Sequence, residues 1–397
     1  MRRRFGALAL AAVAGLVFAA CGGTAAQPSG TGGGPPIALG GSISETGNLS
    51  ADATYELQGI QLAVEQINSK GGVLGRRLTF KYYDDKSDAG TAVRLYQRLI
   101  TQDKVNFLLG PYSSGITQAM ASIPNKYQVV SVDAGASLPT IFKAPNKYNF
   151  SDVASSETYI EQVLPIAKQH GLNKVALLVF NSAFSLACGA ARKQQAQQLG
   201  MNIVYENTYS LPVPDFSSQA LGIKNAGAEV IIGCTYYPDA IGIAQALNRV
   251  GYKPTMFAET VGPPEAGFVK TLGPIANGII TNTQWWPSLH TPGNSQFVSS
   301  FKSKYGIDPD YHAASGYAAV QILAEGIRRA GAIDQNKVRA ALLKGNIPTV
   351  QGTWNCDQYG LPVGIKNYLA QYQGGVMKLV YPENVAEAPI QIPYTGA

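Results

Sequence analysis

Short apolar runs alternate with amphipathic stretches along most of this chain, beginning directly after Pro36. The first run, residues 37–40, predicts a strand, and the next stretch, residues 55–68, carries apolar residues at helical spacing. That spacing predicts a helix, which the glycine pair at 71–72 ends. The alternation of strand and helix patterns continues along the chain. Further strands are predicted at 78–83, 105–109, 129–132, 175–179, 203–205 and 230–232, and further helices at 91–101 and around 190–199.

Strands separated by helices are typical of parallel sheets that are covered by helices on both faces. The chain has 397 residues, of which 46% are hydrophobic, so it can bury more than one core. About a dozen strand and helix units predict an α/β fold with two lobes. We find no internal sequence repeat, so any symmetry between the lobes would be structural only.

The amino terminus carries the features of a secretory signal peptide over residues 1–20. Three arginines precede an apolar run from Phe5 to Ala20, which is shorter than the roughly 20 residues that span a bilayer. Small residues lead directly to Cys21, the pattern of a bacterial lipoprotein whose cysteine takes the lipid. The alternative is an ordinary signal peptide with an incidental cysteine, since Phe18 stands where such signals usually carry Leu.

Residues 21–36, rich in Gly and Pro, are predicted to form the lipidated cysteine and a flexible spacer. The mature protein is therefore expected outside the cytoplasm, anchored by lipid to the bacterial cell membrane, in the periplasm or at the cell surface. Two arginines directly precede Phe5, as in twin-arginine export signals, but that pattern is too short to decide the export route.

The charge and the cysteine content exclude few classes of protein, but they narrow the range of expected binding partners. The net charge of +6 includes the three arginines of the leader, and the remainder is too small to favour nucleic acid. Beyond Cys21 the cysteines are Cys188, Cys234 and Cys356. One disulfide among them is open in an oxidising compartment, although the sequence does not select the pair. The other interpretation is that the three cysteines are unpaired and are buried as small apolar residues.

Sequence motifs of catalysis are missing. No phosphate-binding loop, dinucleotide fingerprint or nucleophile elbow occurs. His170, His290 and His312 lie far apart without metal-ligand spacing, so we interpret them as surface or loop residues. Ser299 and Lys302 have a Ser-x-x-Lys spacing, but they lie on a polar helix face without the companion motifs of that enzyme class. We expect neither an enzyme nor a bound cofactor or metal.

Two loops that follow predicted strands carry hydroxyl groups. In the first, residues 110–115, Ser113 and Ser114 stand between a buried strand and a helix, where open α/β sheets bind ligands. Free backbone N–H groups and the helix dipole favour an anion such as a carboxylate there. In the second, residues 134–139, Ser137 offers the same chemistry. The two loops predict a carboxylate cradle, and the alternative is simple helix capping by serine.

The order of several stretches resembles the Leu/Ile/Val-type (type I) periplasmic solute-binding proteins of ABC importers, in their lipoprotein form. The resemblance covers residues 37–382. Its strongest parts are residues 58–68 with the glycine pair 71–72, then 83–85, 110–114, 236–239, 301–306 with Pro309, and 315–319.

The resemblance implies two doubly wound parallel-sheet lobes joined by three hinge crossings. The crossings are expected near Phe150-Ser151, Thr283-Gln284-Trp285 and Gly345-Asn346. Lobe 1 would then comprise residues 37–150 plus 285–345, and lobe 2 residues 151–284 plus 346–397.

The same resemblance assigns roles in a ligand site. Ser114 and Ser137 would hold the ligand carboxylate, and the Gly135 carbonyl would accept from an ammonium group. On the second lobe, Phe184 and Tyr236 would close over the ligand, unless they are core aromatics.

Two positions depart from the family pattern. The acidic residue for the amino group is expected after the strand 255–258, where Glu259 lies and Thr260 competes for the aligned place. A position that is an aromatic lid in the family is Asp52 here. Its carboxylate would favour a cationic or hydroxylated ligand, or point to solvent.

The expected function is that of an extracytoplasmic solute-binding protein of an ABC importer. It would capture an amino acid of the branched-chain type, or a related small carboxylate, by hinge closure. We expect a monomer whose partners are the small-molecule ligand, the ABC permease and, through the lipid anchor, the membrane. One alternative is a ligand-sensing receptor or regulator domain of the same fold, and another is a binder of aromatic acids. An extracellular hydrolase would need motifs that are missing from the sequence.

Overall fold

The computed structural model describes residues 33–143, 145–213 and 215–396. The predicted signal peptide, Cys21 and most of the spacer lie outside this part of the chain. Within it, no helix combines the length and the hydrophobicity that crossing a membrane requires.

The first sheet has five parallel strands in the order β2-β1-β3-β4-β5. The alternation of apolar runs and amphipathic stretches predicted the first four of these strands along the chain to within a few residues, whereas the fifth was expected only as a hinge crossing. Their bounds are β1 Ile37–Ile43, β2 Leu78–Asp84, β3 Phe107–Leu109, β4 Ser131–Asp133 and β5 Asn149–Ser151. The helices between them are α1 Ser50–Ser69, α2 Ala89–Thr101, α3 Ser114–Met120 and α4 Ser122–Tyr127.

The second sheet has seven strands in the order β14-β13-β10-β9-β8-β6-β7. Its parallel strands are β6 Lys174–Phe180, β7 Asn202–Tyr209, β8 Val230–Cys234, β9 Met256–Glu259 and β10 Ile280–Thr283. Its helices are α5 Val163–Gln169, α6 Ala183–Gln198, α7 Ser217–Ala226, α8 Tyr237–Arg249 and α9 Ala266–Leu272. The prediction of an α/β fold with parallel sheets is confirmed.

Two antiparallel strands at the edge of the second sheet had no counterpart in the sequence analysis. They are β13 Tyr368–Gln373 and β14 Val376–Tyr381. Gly374 and Gly375 join them with positive φ angles of 62° and 77°. A two-residue turn with both φ angles positive favours glycine, so this pair was a readable hairpin signal.

Between β10 and β13 the chain returns to the first sheet. Helices α10 Asn294–Tyr305, α11 Tyr311–Ala330 and α12 Gln335–Leu342 are followed by the short antiparallel strands β11 Ile347–Thr349 and β12 Gly352–Trp354. Short 3-10 helices lie at Pro139–Phe142, Ser156–Thr158 and Gly273–Ala276. We call the first sheet with its helices the first lobe, and the second sheet with its helices the second lobe.

The chain passes between the lobes after β5, after β10 and between β12 and β13. Gly345-Asn346, the predicted third crossing, precedes β11 and β12, which pack against α11 of the first lobe. The passage to the second lobe therefore comes later, in residues 355–367. The crossings also contact one another: the Ser151 N–H donates to the Gly360 carbonyl at 3.0 Å, and Gln284 Oε1 accepts from the Ala154 N–H at 2.7 Å.

Helices α1 and α11 pack closely through two glycines. A Cβ atom on Gly59 would lie 2.0 Å from the carbonyl oxygen of Ala313, and one on Gly316 would lie 2.2 Å from that of Glu56. Glycine is thus required where the two backbones meet. This contact sets the positions of the amino-terminal turns of both helices, which carry Asp52 and His312.

The second lobe contains a disulfide between Cys188 on α6 and Cys234 at the end of β8. Cys356 is free and half-buried. The sequence left both the pairing and the existence of a disulfide open. In the structure the bond joins two elements that lead directly to the candidate site described next.

Candidate functional site

A cavity of about 10 Å³, room for about one water molecule, lies between the lobes. A small-molecule ligand can therefore enter only when the lobes part. The cavity is lined by residues from loops that follow strands of both sheets and from the start of α11. They are Tyr112, Ala134, Gly135, Ser137, Val153, Tyr159, Phe184, Tyr236, Val261, Tyr311 and His312. Such strand ends are where open α/β sheets bind ligands.

The two serine loops of the first lobe come together. Ser114 Oγ accepts from the backbone N–H groups of Ser137 at 3.0 Å and Leu138 at 3.2 Å. Its oxygen also lies 3.5 Å from Ser137 Oγ. Ser137 lines the cavity, and Ser114 joins the two loops from behind it. Ser113 caps α3 and faces a second, more open cavity at the rim of the cleft.

Gly135 lets two larger groups approach the cavity wall. A Cβ atom at this position would lie 2.6 Å from Tyr112 Cδ2 and 2.9 Å from Glu56 Oε2. The Gly135 N–H donates to Asp133 Oδ1 at 3.0 Å, which fixes the loop after β4. The sequence therefore placed Gly135 at the cavity without indicating why glycine stands there.

The second lobe contributes the two aromatic residues that the resemblance indicated. Phe184 lies in the first turn of α6, which Ser182 caps by accepting from the Ser185 N–H. Tyr236 precedes α8, and its N–H donates to Asp239 at 3.0 Å. The two rings lie 5.6 Å apart and both line the cavity. The structure thus brings Phe184 and Tyr236 together with Gly135 and Ser137.

Glu259 and Thr260 do not line the cavity. Thr260 Oγ1 bonds to the backbone of Thr235, and Glu259 lies on the same face of β9 as the core residue Phe257. Burial, and then the nearby Asp239 carboxyl, raise the pKa of Glu259 well above its usual value. The residue of this loop that faces the cavity is Val261. Asp52 also lies outside the lining, in the first turn of α1, where it is fully buried.

His312 is a site residue that the sequence analysis missed. The prediction that it is a surface or loop residue is wrong, because it lies in the first turn of α11 and is 3% exposed. Its Nδ1 lies 2.7 Å from Asp310 Oδ2, and its Nε2 lies 3.2 Å from the Tyr112 hydroxyl and 3.9 Å from Asp52 Oδ1. His170 and His290 are exposed, as predicted. Asp310 also caps α11, and an N-cap aspartate two residues before a histidine was a usable signal.

Carboxyl groups from both lobes meet beside His312. Asp52 belongs to the first lobe and Glu265, directly before α9, to the second. Burial raises the pKa of both, and their mutual proximity raises that of Glu265 further. Burial lowers the pKa of His312, but the carboxyls of Asp310 and Asp52 raise it more, to a net value above the usual one. In the part of the chain that the structure describes, no lysine or arginine forms an ion pair with these carboxyls, and no group has metal-ligand geometry.

Asp239, which accepts from the Tyr236 N–H, should make stability fall with rising pH. Burial raises its pKa from 3.8 to about 7. Between these values the native state keeps a proton that the unfolded chain has lost, so the free energy of unfolding decreases as pH rises. In the Asp239→Asn variant, the slope of the unfolding free energy against pH should become less steep by the equivalent of up to one bound proton. Urea unfolding at pH 4.5 to 7.5 measures this slope. An unchanged slope would contradict the assignment.

Three comparisons with known proteins bear on this geometry. The model of a family described as periplasmic binding protein matches residues 36–374. A Leu/Ile/Val-binding protein homolog 7 from Brucella suis is 26% identical over 383 residues, covering 90% of this chain and 94% of the relative.

Two solved structures share the fold. The branched-chain amino acid transporter substrate binding protein LivJ from Streptococcus pneumoniae, in complex with isoleucine, aligns with a TM-score of 0.80 and 23% identity, covering 90% of this chain and all of LivJ. A solute binding protein of an ABC transporter from R. palustris, in complex with benzoate, aligns with a TM-score of 0.76 and 21% identity, covering 91% of this chain and 98% of that protein.

Proposed function

This chain belongs to the periplasmic binding protein family, and from that premise we propose that it is the extracytoplasmic solute-binding protein of an ABC importer. The observation that carries the proposal is the small cavity whose walls come from both lobes. A ligand that docks on one lobe gains the contacts of the other only when the lobes close, so binding would favour the closed arrangement.

The ligand would be an amino acid or a related small carboxylate. Its carboxylate would dock on the first lobe, against the Ser137 hydroxyl and the loop that Ser114 holds. A hydrogen bond to a charged group contributes more than one between neutral groups, which suits a hydroxyl facing a carboxylate. The second lobe would then add contacts from the aromatic rings of Phe184 and Tyr236. We propose the Gly135 carbonyl as an acceptor for an ammonium group.

Three further elements belong to the proposal. Lipid at Cys21 would anchor the protein, and the spacer of residues 21–36 would let the two lobes turn above the membrane. An ABC permease in that membrane would be the partner, and the receptor would act as a monomer. The relatives are binding proteins by name, which supports a receptor over an enzyme.

Aromatic acids form the second candidate class of ligand. The observation that favours them is the share of aromatic side chains in the cavity wall, including Tyr112, Tyr159 and Phe184. Aromatic rings pack against such walls in offset or edge-to-face arrangements. The benzoate complex of the R. palustris protein is consistent with this alternative.

A thermal-shift screen with amino acids and aromatic acids tests the function, because a ligand of the native state raises the melting temperature. For the ligand it identifies, Ser114→Ala with Ser137→Ala should weaken binding at least about 10-fold, because the Ser137 hydrogen bond to the charged carboxylate is lost and the loop that Ser114 holds is released. Ser299→Ala is the matched control, since Ser299 is exposed on α10. Equal affinities of the double variant and the control would reject the cradle.

A further inference from the structure

Six aromatic rings enclose the cavity between the lobes. They are Tyr112, Tyr159, Phe184, Tyr236, Tyr311 and His312. From Tyr159 through Phe184, Tyr236, Tyr112 and His312 to Tyr311, the centroids of neighbouring rings lie 4.0 to 6.2 Å apart. Four of the neighbouring pairs meet at 60° to 80°. Rings at such angles and distances pack against one another around the cavity, and we refer to the six rings as the aromatic box.

Carboxyl groups surround the aromatic box. Asp310 and Asp52 face the two nitrogens of His312, and Asp239 accepts from the backbone of Tyr236. Glu56 lies behind Gly135, where its Oε2 would be 2.9 Å from a Cβ atom.

Both carboxyl oxygens of Asp52 and Glu56 are buried without a hydrogen-bond partner, and so are those of Asp152, next to the lining residue Val153. In the described residues, none of these groups has a lysine or arginine within ion-pair distance. A buried polar group without a partner requires an explanation, because leaving it unpaired costs free energy.

Resting on the proposed function, we propose that the ligand carries a positively charged nitrogen with carbon substituents, which the aromatic box holds. The negative faces of aromatic rings attract a cation, and the effect is strongest where water is excluded. Carbon substituents pack against the rings and need no hydrogen-bond acceptor, which suits a wall of ring faces. Burial raises the pKa of the carboxyls behind the box, and a bound cation would lower it again, so that they ionise and compensate the ligand's charge.

His312 is the one basic side chain of the aromatic box among the described residues, and its charge opposes a cationic ligand. Two carboxyls neighbour it, Asp52 and Asp310, and Glu265 lies next to Asp52. The acidic groups therefore outnumber the imidazole on this side of the cavity. In the loop after β9, where the resemblance led us to expect an acidic residue, Val261 faces the cavity. Recognition of the ligand's charge is therefore left to the aromatic box and the carboxyls around it.

Two ligands of the same shape separate this proposal from simple apolar fit. Trimethylglycine and 3,3-dimethylbutanoate share a carboxylate and a trimethyl group, but only the former has a charged nitrogen. By isothermal titration calorimetry, trimethylglycine should bind at least 10-fold more tightly. Equal or weaker binding of trimethylglycine overturns the proposal. If isoleucine or benzoate binds and trimethylglycine does not, the aromatic-box proposal fails while the solute-binding function stands. If no probe binds, both fail.

Variants of the box walls provide a second test. Tyr236→Leu should weaken trimethylglycine binding at least 10-fold and leave the butanoate unchanged, whereas Tyr236→Phe should retain most of the affinity. Phe184→Leu repeats the test on α6, and near-ultraviolet circular dichroism checks that each variant is folded. Equal losses for both ligands would indicate a shape effect and overturn the role of the rings in holding charge.

Discussion

Replacing Cys188 and Cys234 by alanine is expected to lower the free energy of unfolding by about 4 kcal/mol, from the loop entropy that the disulfide removes. The two cysteines are 46 residues apart in the sequence, and both are fully buried. Cys188 lies one helical turn after Phe184, and Cys234 lies two residues before Tyr236. We therefore expect weaker ligand binding as well, because the bond fixes both aromatic residues relative to each other.

Urea unfolding of the oxidised protein and the double variant measures the difference, and the oxidised protein treated with dithiothreitol should match the variant. Cys356→Ala is the control, since Cys356 is free and half-buried. Its change in stability should stay below about 1.5 kcal/mol, as for small alterations at incompletely buried positions. A double variant as stable as the oxidised protein would refute the contribution of the disulfide.

Gly59→Ala is expected to destabilise the fold by about 3 kcal/mol or more, through overpacking between α1 and α11. The new methyl group would lie 2.0 Å from the carbonyl oxygen of Ala313. That oxygen belongs to a helix backbone, so neither group can rotate away and the helices must separate. Separation would also move Asp52 and His312 apart, so a folded variant should bind ligand more weakly.

Gly90→Ala provides the matched control for Gly59→Ala. Gly90 also lies in a helix, in the first turn of α2, and a Cβ atom there would make only ordinary contacts, at 3.5 Å or more. Alanine at this exposed position should be neutral, or stabilise by up to about 1 kcal/mol. Thermal and urea unfolding of the two variants measure the contrast. Similar stabilities would show that the contact between α1 and α11 can adjust.

The fold could be read from the sequence because buried parallel strands are short apolar runs and the helices between them are amphipathic. The runs at 37–40 and 175–179 lie within β1 and β6. The loops that carry Ser137 and Tyr236 could be placed for the same reason, since each follows a strand directly. Strand ends thus locate a site without any catalytic motif.

Finer features of the site could not be read in this way. Whether Glu259, Thr260 or Val261 faces the cavity depends on the direction of the chain as it leaves β9, and a shift of one residue changes the answer. His312 was missed for a different reason: it lies on α11, far along the sequence from the loops of the first sheet. Only the packing of α11 on α1 brings it beside Tyr112.

The bonds among the three chain crossings limit how the lobes can move. Ser151 is tied to Gly360, and Ala154 is tied to Gln284, so the first crossing is fixed to both others. Three independent linkers would allow twisting, sliding and bending, whereas three linkers bonded side by side act as one pivot with a defined axis. Each closure would then reproduce the same relative orientation of the outer faces of the lobes. A membrane partner that contacts both lobes could therefore distinguish an occupied receptor from an empty one by geometry alone, without touching the ligand.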